Sequence, residues 1–256
     1  MNDSTRPLAG QTLLVTGGSG GIGAAIVERL AAEGARPVIH YSRDAQGAQA
    51  LLERIGGQGF IVQGDLSQDD GPERLWQAAM ALAGGRLHGL VNNAGIRTEI
   101  PLHAPSSEWR AAWRREFQVN FFAAADLCRE AVEHFRIHGG GRIVNMASRA
   151  AQRGYAADAL PYGASKAALI NLTKSLARSV AGEGVVAVAI APGWVRTDMA
   201  ERFVAQFGEA AATADIPVGS MASPEEIAEL VAFTLRPSQV SLNGATLDVN
   251  GGSYIR

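Results

Sequence analysis

The chain is short of cysteine, lysine and long apolar runs, and each shortage excludes something. One cysteine in 256 residues, Cys128, closes no intramolecular disulfide and builds no cysteine-rich metal site. Such thiol usage points to a reducing compartment, and a cytoplasmic location is expected. The longest unbroken apolar stretch, 185–191, is seven residues, against the roughly 20 that a membrane-spanning helix needs, so no membrane association is expected. The first ten residues, MNDSTRPLAG, lack the basic-then-apolar pattern of a secretory signal. With 23 Lys+Arg against 25 Asp+Glu and no basic block, the chain offers little to a polyanion, and nucleic acid is not expected as a partner. Of the 23 basic residues only Lys166 and Lys174 are lysines. That bias fits coding composition, but a surviving lysine can also mark a place where a compact ammonium does what a guanidinium cannot.

What is present is enough for a core. Hydrophobic residues make up 47% of the chain, which argues against disorder. Strand-like runs at 11–16, 37–41, 60–62, 87–91, 142–146, 185–190 and 245–249 alternate with helical stretches at 21–33, 45–55, 68–83, 161–180 and 224–235. A long helical tract over 107–136 is expected to bend or break near Val119, and 197–216 reads as mixed. Strands apolar on both faces, separated by helices, predict a parallel sheet covered on both sides. The expected fold class is α/β, a single doubly wound Rossmann domain of about seven strands over 1–256, with 1–10 as a short extension.

Directly after the first strand comes Thr16-Gly17-Gly18-Ser19-Gly20-Gly21-Ile22-Gly23, opening into a helix. A glycine-rich turn there lets backbone amides approach a pyrophosphate, and the helix N-terminus adds positive potential. An NAD site usually carries an acidic residue at the end of the second strand. Here Ser42 and Arg43 stand there instead. They can hold a 2′-phosphate through charge-assisted hydrogen bonds, or Arg43 is a solvated loop residue. NADP(H) is favoured over NAD(H). Asp65, followed by Leu66 after the third strand, is a candidate for the adenine amino group or an N-cap.

Tyr162 and Lys166 stand at i and i+4, one face of one helix, so an ammonium adjoins a phenol able to exchange a proton with a carbonyl or alcohol oxygen. Ser148 follows the fifth strand, at the edge where open α/β sheets bind ligands; it either holds a substrate oxygen or caps a turn. Asn93, Ala94 and Gly95 follow the fourth strand in the same manner. Asn120 sits inside an apolar helical stretch and reads on its own as a structural amide needing a partner. Arg97, Arg149 and Arg153 lie beside these motifs and are compatible with an anionic substrate, although arginine is the default cation of this chain.

Together these motifs resemble the short-chain dehydrogenase/reductase family over essentially the whole chain, from Thr16-Gly17-x-x-x-Gly21-Ile22-Gly23 through Asn92–Gly95, Asn120, Ser148 and Tyr162-x-x-x-Lys166 to Pro192-Gly193, Val195 and Thr197. The resemblance implies that Tyr162 is the general acid/base, that Lys166 lowers its pKa and binds the nicotinamide ribose, that Ser148 positions the reacting oxygen, and that Asn120 holds a water of a proton relay. It implies a homotetramer and an NADPH-dependent carbonyl reductase. Tyr41-Ser42-Arg43, the 192–199 segment and the 248–254 tail look most like the 3-oxoacyl-thioester reductase branch, so a small-molecule or thioester carbonyl is the expected substrate. Gly139 and Glu183 stand where carrier-protein reductases often carry arginines. The rival readings are an NAD(P)-dependent alcohol or sugar dehydrogenase and a cofactor-binding protein that does no chemistry.

Overall fold

Runs such as Thr-Leu-Leu-Val and Val-Val-Ala-Val-Ala-Ile-Ala-Pro are almost wholly apolar on both parities, so a strand built from them must be covered twice. The computed structural model, which describes residues 6–256, covers them with helices on both faces of one sheet. The strands are β1 (Thr12–Val15), β2 (Arg36–Tyr41), β3 (Phe60–Gln63), β4 (Gly89–Asn92), β5 (Gly141–Met146), β6 (Val185–Pro192) and β7 (Thr246–Val249). Their order is β3-β2-β1-β4-β5-β6-β7, and every neighbouring pair is parallel. The helices are α1 (Gly21–Ala32), α2 (Ala45–Arg54), α3 (Gly71–Leu82), α4 (Ser106–Phe117), α5 (Ala123–Ile137), α6 (Ala150–Arg153), α7 (Leu160–Ser179), α8 (Asp198–Phe207), α9 (Glu209–Thr213) and α10 (Pro224–Leu235).

The two-residue period of a strand splits the core into two layers. Leu13 and Val15 pack with Ile26, Leu30, Leu51 and Val231 under α1, α2 and α10. Leu14, between them, packs with Leu75, Trp76, Leu127 and Phe135 under α3 and α5. No described helix is long and apolar enough to cross a membrane. Cys128 is buried in the second layer, where burial pushes its thiol up to about 12 and leaves it inert.

Several boundaries differ from expectation for visible reasons. The helix expected from 68 begins at Gly71, because the Asp65 carboxylate takes the Ser67 N–H at 3.0 Å into a turn that ends just before it. Asp65 is therefore no helix N-cap; Asp70 holds that position. The fourth strand starts at Gly89 and not at 87. The tract over 107–136 does not break. It passes from α4 into α5 through a π-helical turn, Gln118–Phe122, whose following amide, Ala123 N–H, bonds Gln118 O. The mixed segment resolves into α8 and α9, and α6 was not expected at all. In the N-terminal extension, Leu8 is wholly buried in the first layer and its N–H donates to Glu33 O at 3.0 Å; residues 1–5 lie outside the described ones.

The far edges of α1 and α10 are joined by one carboxylate. Glu33 accepts from Arg236 at 2.9 and 3.1 Å and from Arg29 at 2.9 Å, and is nearly buried. Burial alone would raise its pKa, but the two guanidiniums hold it below the ordinary carboxylate range. Its contribution is therefore present above the unfolded-state pKa and lost as pH falls through the folded one. Glu33→Gln is expected to cost about 1–3 kcal/mol at pH 7 and progressively less as the pH falls below the ordinary carboxylate range, measured by urea unfolding across that series.

Candidate active site

Because all strands run the same way, every loop that leaves a carboxyl end reaches the same edge. The sheet order reverses between β1 and β4, and that switch point opens a crevice. Around it the structure gathers the predicted residues: the glycine loop after β1, Ser42 and Arg43 after β2, Asp65 and Leu66 after β3, Asn93–Gly95 after β4, Ser148 after β5, and Pro192, Gly193, Val195 and Thr197 at and after β6.

The glycine loop is braced from below. Thr16 Oγ1 accepts the Asn93 and Ala94 amides, both at 3.0 Å, and donates to Val91 O. Asn93 Nδ2 donates to Thr16 O and Gly17 O at 2.9 and 3.0 Å. Gly17 and Gly21 adopt φ of +63° and +53°, which a side chain would strain. Gly23 is needed for another reason: a Cβ there would lie 2.1 Å from Gly17 O and 2.6 Å from Asn93 Nδ2. At the mouth, a Cβ on Gly20 would meet nothing. Gly20 also leaves the start of α1 without a side-chain cap, and the first turn carries no acid. An open cradle under uncapped helix amides fits a pyrophosphate, with Ser19 and Ile22 flanking it. Thr197 closes the crevice from the far side, its Cγ2 3.5 Å from where a Gly21 Cβ would stand.

Ser42 and Arg43 are exposed, with no carboxylate at the end of β2. Asp65 accepts the Ser67 hydroxyl at 2.6 Å, which with the Ser67 amide and the nearby Arg43 charge lowers its pKa. The Leu66 side chain belongs to the core, so only its main chain is available to a ligand.

Tyr162 and Lys166 lie on one face of α7, the lysine Nζ 6.0 Å from the phenol ring centroid. Lys166 is 4% exposed and donates to Met146 O at 2.7 Å, whereas Lys174 is at the surface. Burial pushes the ammonium down to about 8 and the phenol up to about 12, with the Ser148 hydroxyl drawing the phenol back. In this structure burial, not Lys166, sets the phenol's range; the groups that draw it down are Ser148 and Arg97. Ser148 is buried and its Oγ accepts Ala150 N–H, the first amide of α6, at 3.1 Å. Asn120, on the π turn, is engaged at both ends of its amide: Oδ1 accepts Ile96 N–H at 2.8 Å, and Nδ2 lies within reach of Ile96 O, Glu116 Oε1 and Ser165 Oγ at 2.9, 3.1 and 3.1 Å.

Of the three arginines beside the motifs, Arg149 and Arg153 turn to Asp215, at 3.2 and 2.7 Å. Arg97 pairs with Glu99 and stands near the phenol, 5.4 Å over the Tyr155 ring, which is itself 5.6 Å from Tyr162. Three residues that sequence reading does not single out belong to this site: Tyr155, Glu116, and His40, whose Nδ1 accepts Gly17 N–H at 3.0 Å. The signal for His40 is a polar residue inside an apolar strand, where it needs a partner.

The comparisons agree with this geometry. A family model described as enoyl-(acyl-carrier-protein) reductase matches residues 17–254. The chain belongs to the short-chain dehydrogenase/reductase family. It is 37% identical to 3β-hydroxysteroid dehydrogenase 1 of Eggerthella lenta over 96% of this chain and 94% of that protein. It is 36% identical to a 3-oxoacyl-[acyl-carrier-protein] reductase of Vibrio cholerae over 97% and 99%. A Beutenbergia cavernae structure with bound NADP, assigned as an NAD(P)-dependent gluconate 5-dehydrogenase, superposes at a TM-score of 0.88 with 34% identity, covering 98% of this chain and 99% of that one. This family member is an NAD(P)-dependent oxidoreductase acting on hydroxyl and carbonyl groups. Gly23→Ala, which forces Gly17 and Asn93 apart, is expected to weaken dinucleotide binding at least about tenfold, a cost of about 1.4 kcal/mol, as isothermal titration calorimetry would measure.

Proposed function

We propose that the chain reduces a ketone with NADPH, Tyr162 being the acid that protonates the carbonyl oxygen. The observation that carries this reading is the meeting of Tyr162, Ser148 and a buried Lys166 at the carboxyl edge of the sheet, beside an open phosphate cradle. Bound nicotinamide supplies the hydride, and accepts it in the reverse reaction. A phenol held high by burial is neutral at physiological pH and has a proton to give. The Ser148 hydroxyl orients the substrate oxygen toward it. Lys166 uses one N–H on Met146 O and keeps two donors for the ribose and the phenolate formed on proton transfer. Asn120 ties Ile96 to α7 through its side-chain amide, and its Oδ1 keeps one lone pair for the water of a proton relay.

The dinucleotide would be held by Gly17, Ser19, Gly21, Ile22 and Gly23 at its pyrophosphate, Asp65 and Leu66 at adenine, and Asn93, Ala94, Gly95, Pro192, Gly193, Val195 and Thr197 around the nicotinamide half. Arg43 and Ser42, with no acid at the end of β2 itself, support NADPH over NADH. Arg43→Ala is expected to raise the Kd for NADPH about 10–100-fold, the worth of a charge-assisted contact, and that for NADH little; an equal effect on both, by fluorescence titration, speaks against the assignment.

For the substrate, a short 3-oxoacyl thioester leads, in keeping with the 3-oxoacyl reductase relatives. At the carrier-docking position Glu183 is tied to Arg136 at 2.6 Å, with Glu133 on the same arginine. Two carboxylates on one guanidinium disfavour an acidic carrier protein, so a coenzyme A thioester is the better probe. A second reading, oxidation of a polyhydroxy acid, is favoured by Arg97, whose Nε is buried without a hydrogen-bond partner among the described residues. NADPH consumption with the thioester, run beside NADP⁺ reduction with gluconate, tests both. Tyr162→Phe is expected to abolish turnover with whichever substrate is used while leaving NADPH affinity within about twofold, a few tenths of a kcal/mol. A variant that still turns over removes the phenol from the reaction.

A further inference from the structure

Glu116, on α4, is a carboxylate with no exposed surface, four residues before Asn120. Such a group is expensive to bury unless charge or hydrogen bonds compensate it. Its two oxygens have different partners: Oε2 accepts Thr98 N–H at 2.9 Å and Oε1 accepts Asn120 Nδ2 at 3.1 Å. The orientation of that amide is set independently, because Asn120 grips both the N–H and the C=O of Ile96. These two partners are donors, and the Thr98 hydroxyl adds a third hydrogen bond. All three favour the anion, against the burial that disfavours it.

Beyond Asn120 lies Lys166. A methyl group placed on Gly95 would stand 3.3 Å from Lys166 Nζ and 3.4 Å from Asn120 Oδ1, so both atoms line the same glycine-sized gap. Asn120 Nδ2 also bonds Ser165, the residue before the lysine. The ammonium, the amide and the carboxylate thus run in a buried line from α7 back to α4, behind the phenol.

We propose that Glu116 is the counter-charge of Lys166, a buried anion set one amide away that keeps the lysine an ammonium through neutral pH. The proposal rests on the reading of Tyr162 and Lys166 given above and adds a positioning residue behind them. Burial drives the lysine down to about 8, and Glu116 is the charge that pulls it back; burial leaves the Glu116 carboxyl above its ordinary range, with Lys166 among the groups that oppose the rise. The other titratable or charged groups facing this line are Tyr162 on α7, Tyr155 on the loop after α6, and Arg97 on the segment after β4. Arg97 pulls the phenol down, while Tyr155 and Glu116 push it up. Removing the Glu116 charge lowers both the lysine and the phenol, so the two effects act in the same direction on a reduction that needs both groups protonated.

Two lysines in the whole chain make the test direct. Protein labelled with ¹³C at lysine Cε has two side-chain resonances, from Lys166 and Lys174, and pH titration gives each midpoint without any turnover. In Glu116→Gln, which keeps the size of the side chain, the Lys166 midpoint is expected to fall by about one pH unit, the coupling of unit charges across a short, partly screened gap. Lys174 stays as it was. The alkaline limb of the pH profile of kcat/KM for reduction moves down with it. An unshifted Lys166 midpoint in a folded variant overturns the proposal. Should the variant not fold, the wild-type titration decides. The Lys166 resonance must then show a second inflection as Glu116 takes up its proton, one that Lys174 lacks, and a single-step Lys166 curve overturns the proposal. Either result is separable from failure of the catalytic reading, which Tyr162→Phe tests by turnover alone.

Discussion

The site depends on a hydroxyl at the point where the sheet changes direction. Thr16 follows β1, and its Oγ1 takes two amides from the segment after β4 while giving its proton to Val91 O. That residue makes β1 and β4, neighbours in space but far apart in sequence, deliver their loops at one height. Asn93 then returns two donors to the glycine loop, and His40 on β2 supplies an acceptor for Gly17 N–H. A neutral imidazole suits this position, since burial lowers the His40 pKa to about 4 and near neutrality one ring nitrogen keeps its lone pair for the amide. The cradle's backbone amides are therefore aimed by side chains that never meet a ligand.

The same arrangement governs the proton-transfer end. Asn92 Nδ2 reaches Asn145 Oδ1 at 2.9 Å, and Asn145 Nδ2 reaches Thr173 Oγ1 at 2.9 Å, so a buried polar chain pins α7 to β4 and β5. A half-satisfied chain of this kind would be costly. Nearly satisfied, it settles where on the sheet α7 lies, and with it where Tyr162 and Lys166 stand relative to Ser148. Asn120 then ties the other side of α7 to the segment after β4. The phenol is held between two sets of hydrogen bonds made by residues that do no chemistry.

Most of the frame could be read from the chain because its signals are local. Strand runs such as 185–190 and the glycine loop opening into α1 each carry their own period or turn chemistry. The gathering of the site was legible for a topological reason, since parallel strands send every catalytic loop to one edge. What escaped was decided by partners far away in sequence. An irregularity near Val119 was legible, but not that the tract absorbs it as a π turn with one residue of slack and stays continuous. Glu116 reads as one more helix charge until Thr98 and Asn120 are brought to it. Arg149 and Arg153 read as pocket residues until Asp215, more than 60 positions on, takes them both. The pairing of Tyr162 and Lys166 was legible as spacing; that burial drives their two pKa values apart was not, because desolvation is a property of the packed fold.

The scarcity of lysine acquires a physical reason at one of its two positions. Lys166 Nζ sits where a methyl group on Gly95 would approach to 3.3 Å, and its one protein acceptor is the Met146 carbonyl. A guanidinium is wider than an ammonium, planar, and carries five donors in a fixed fork. In that gap it would press on Gly95 and Asn120 and leave several buried N–H groups without acceptors, each costing about 1–3 kcal/mol. An ammonium fits, turns its remaining donors as required, and changes its pKa with its surroundings, which arginine does not. A chain that uses arginine at 21 of its 23 basic positions has kept lysine where width, donor count and titration all matter together. The glycine opposite belongs to the same requirement: Gly95 leaves the space and Lys166 fills it.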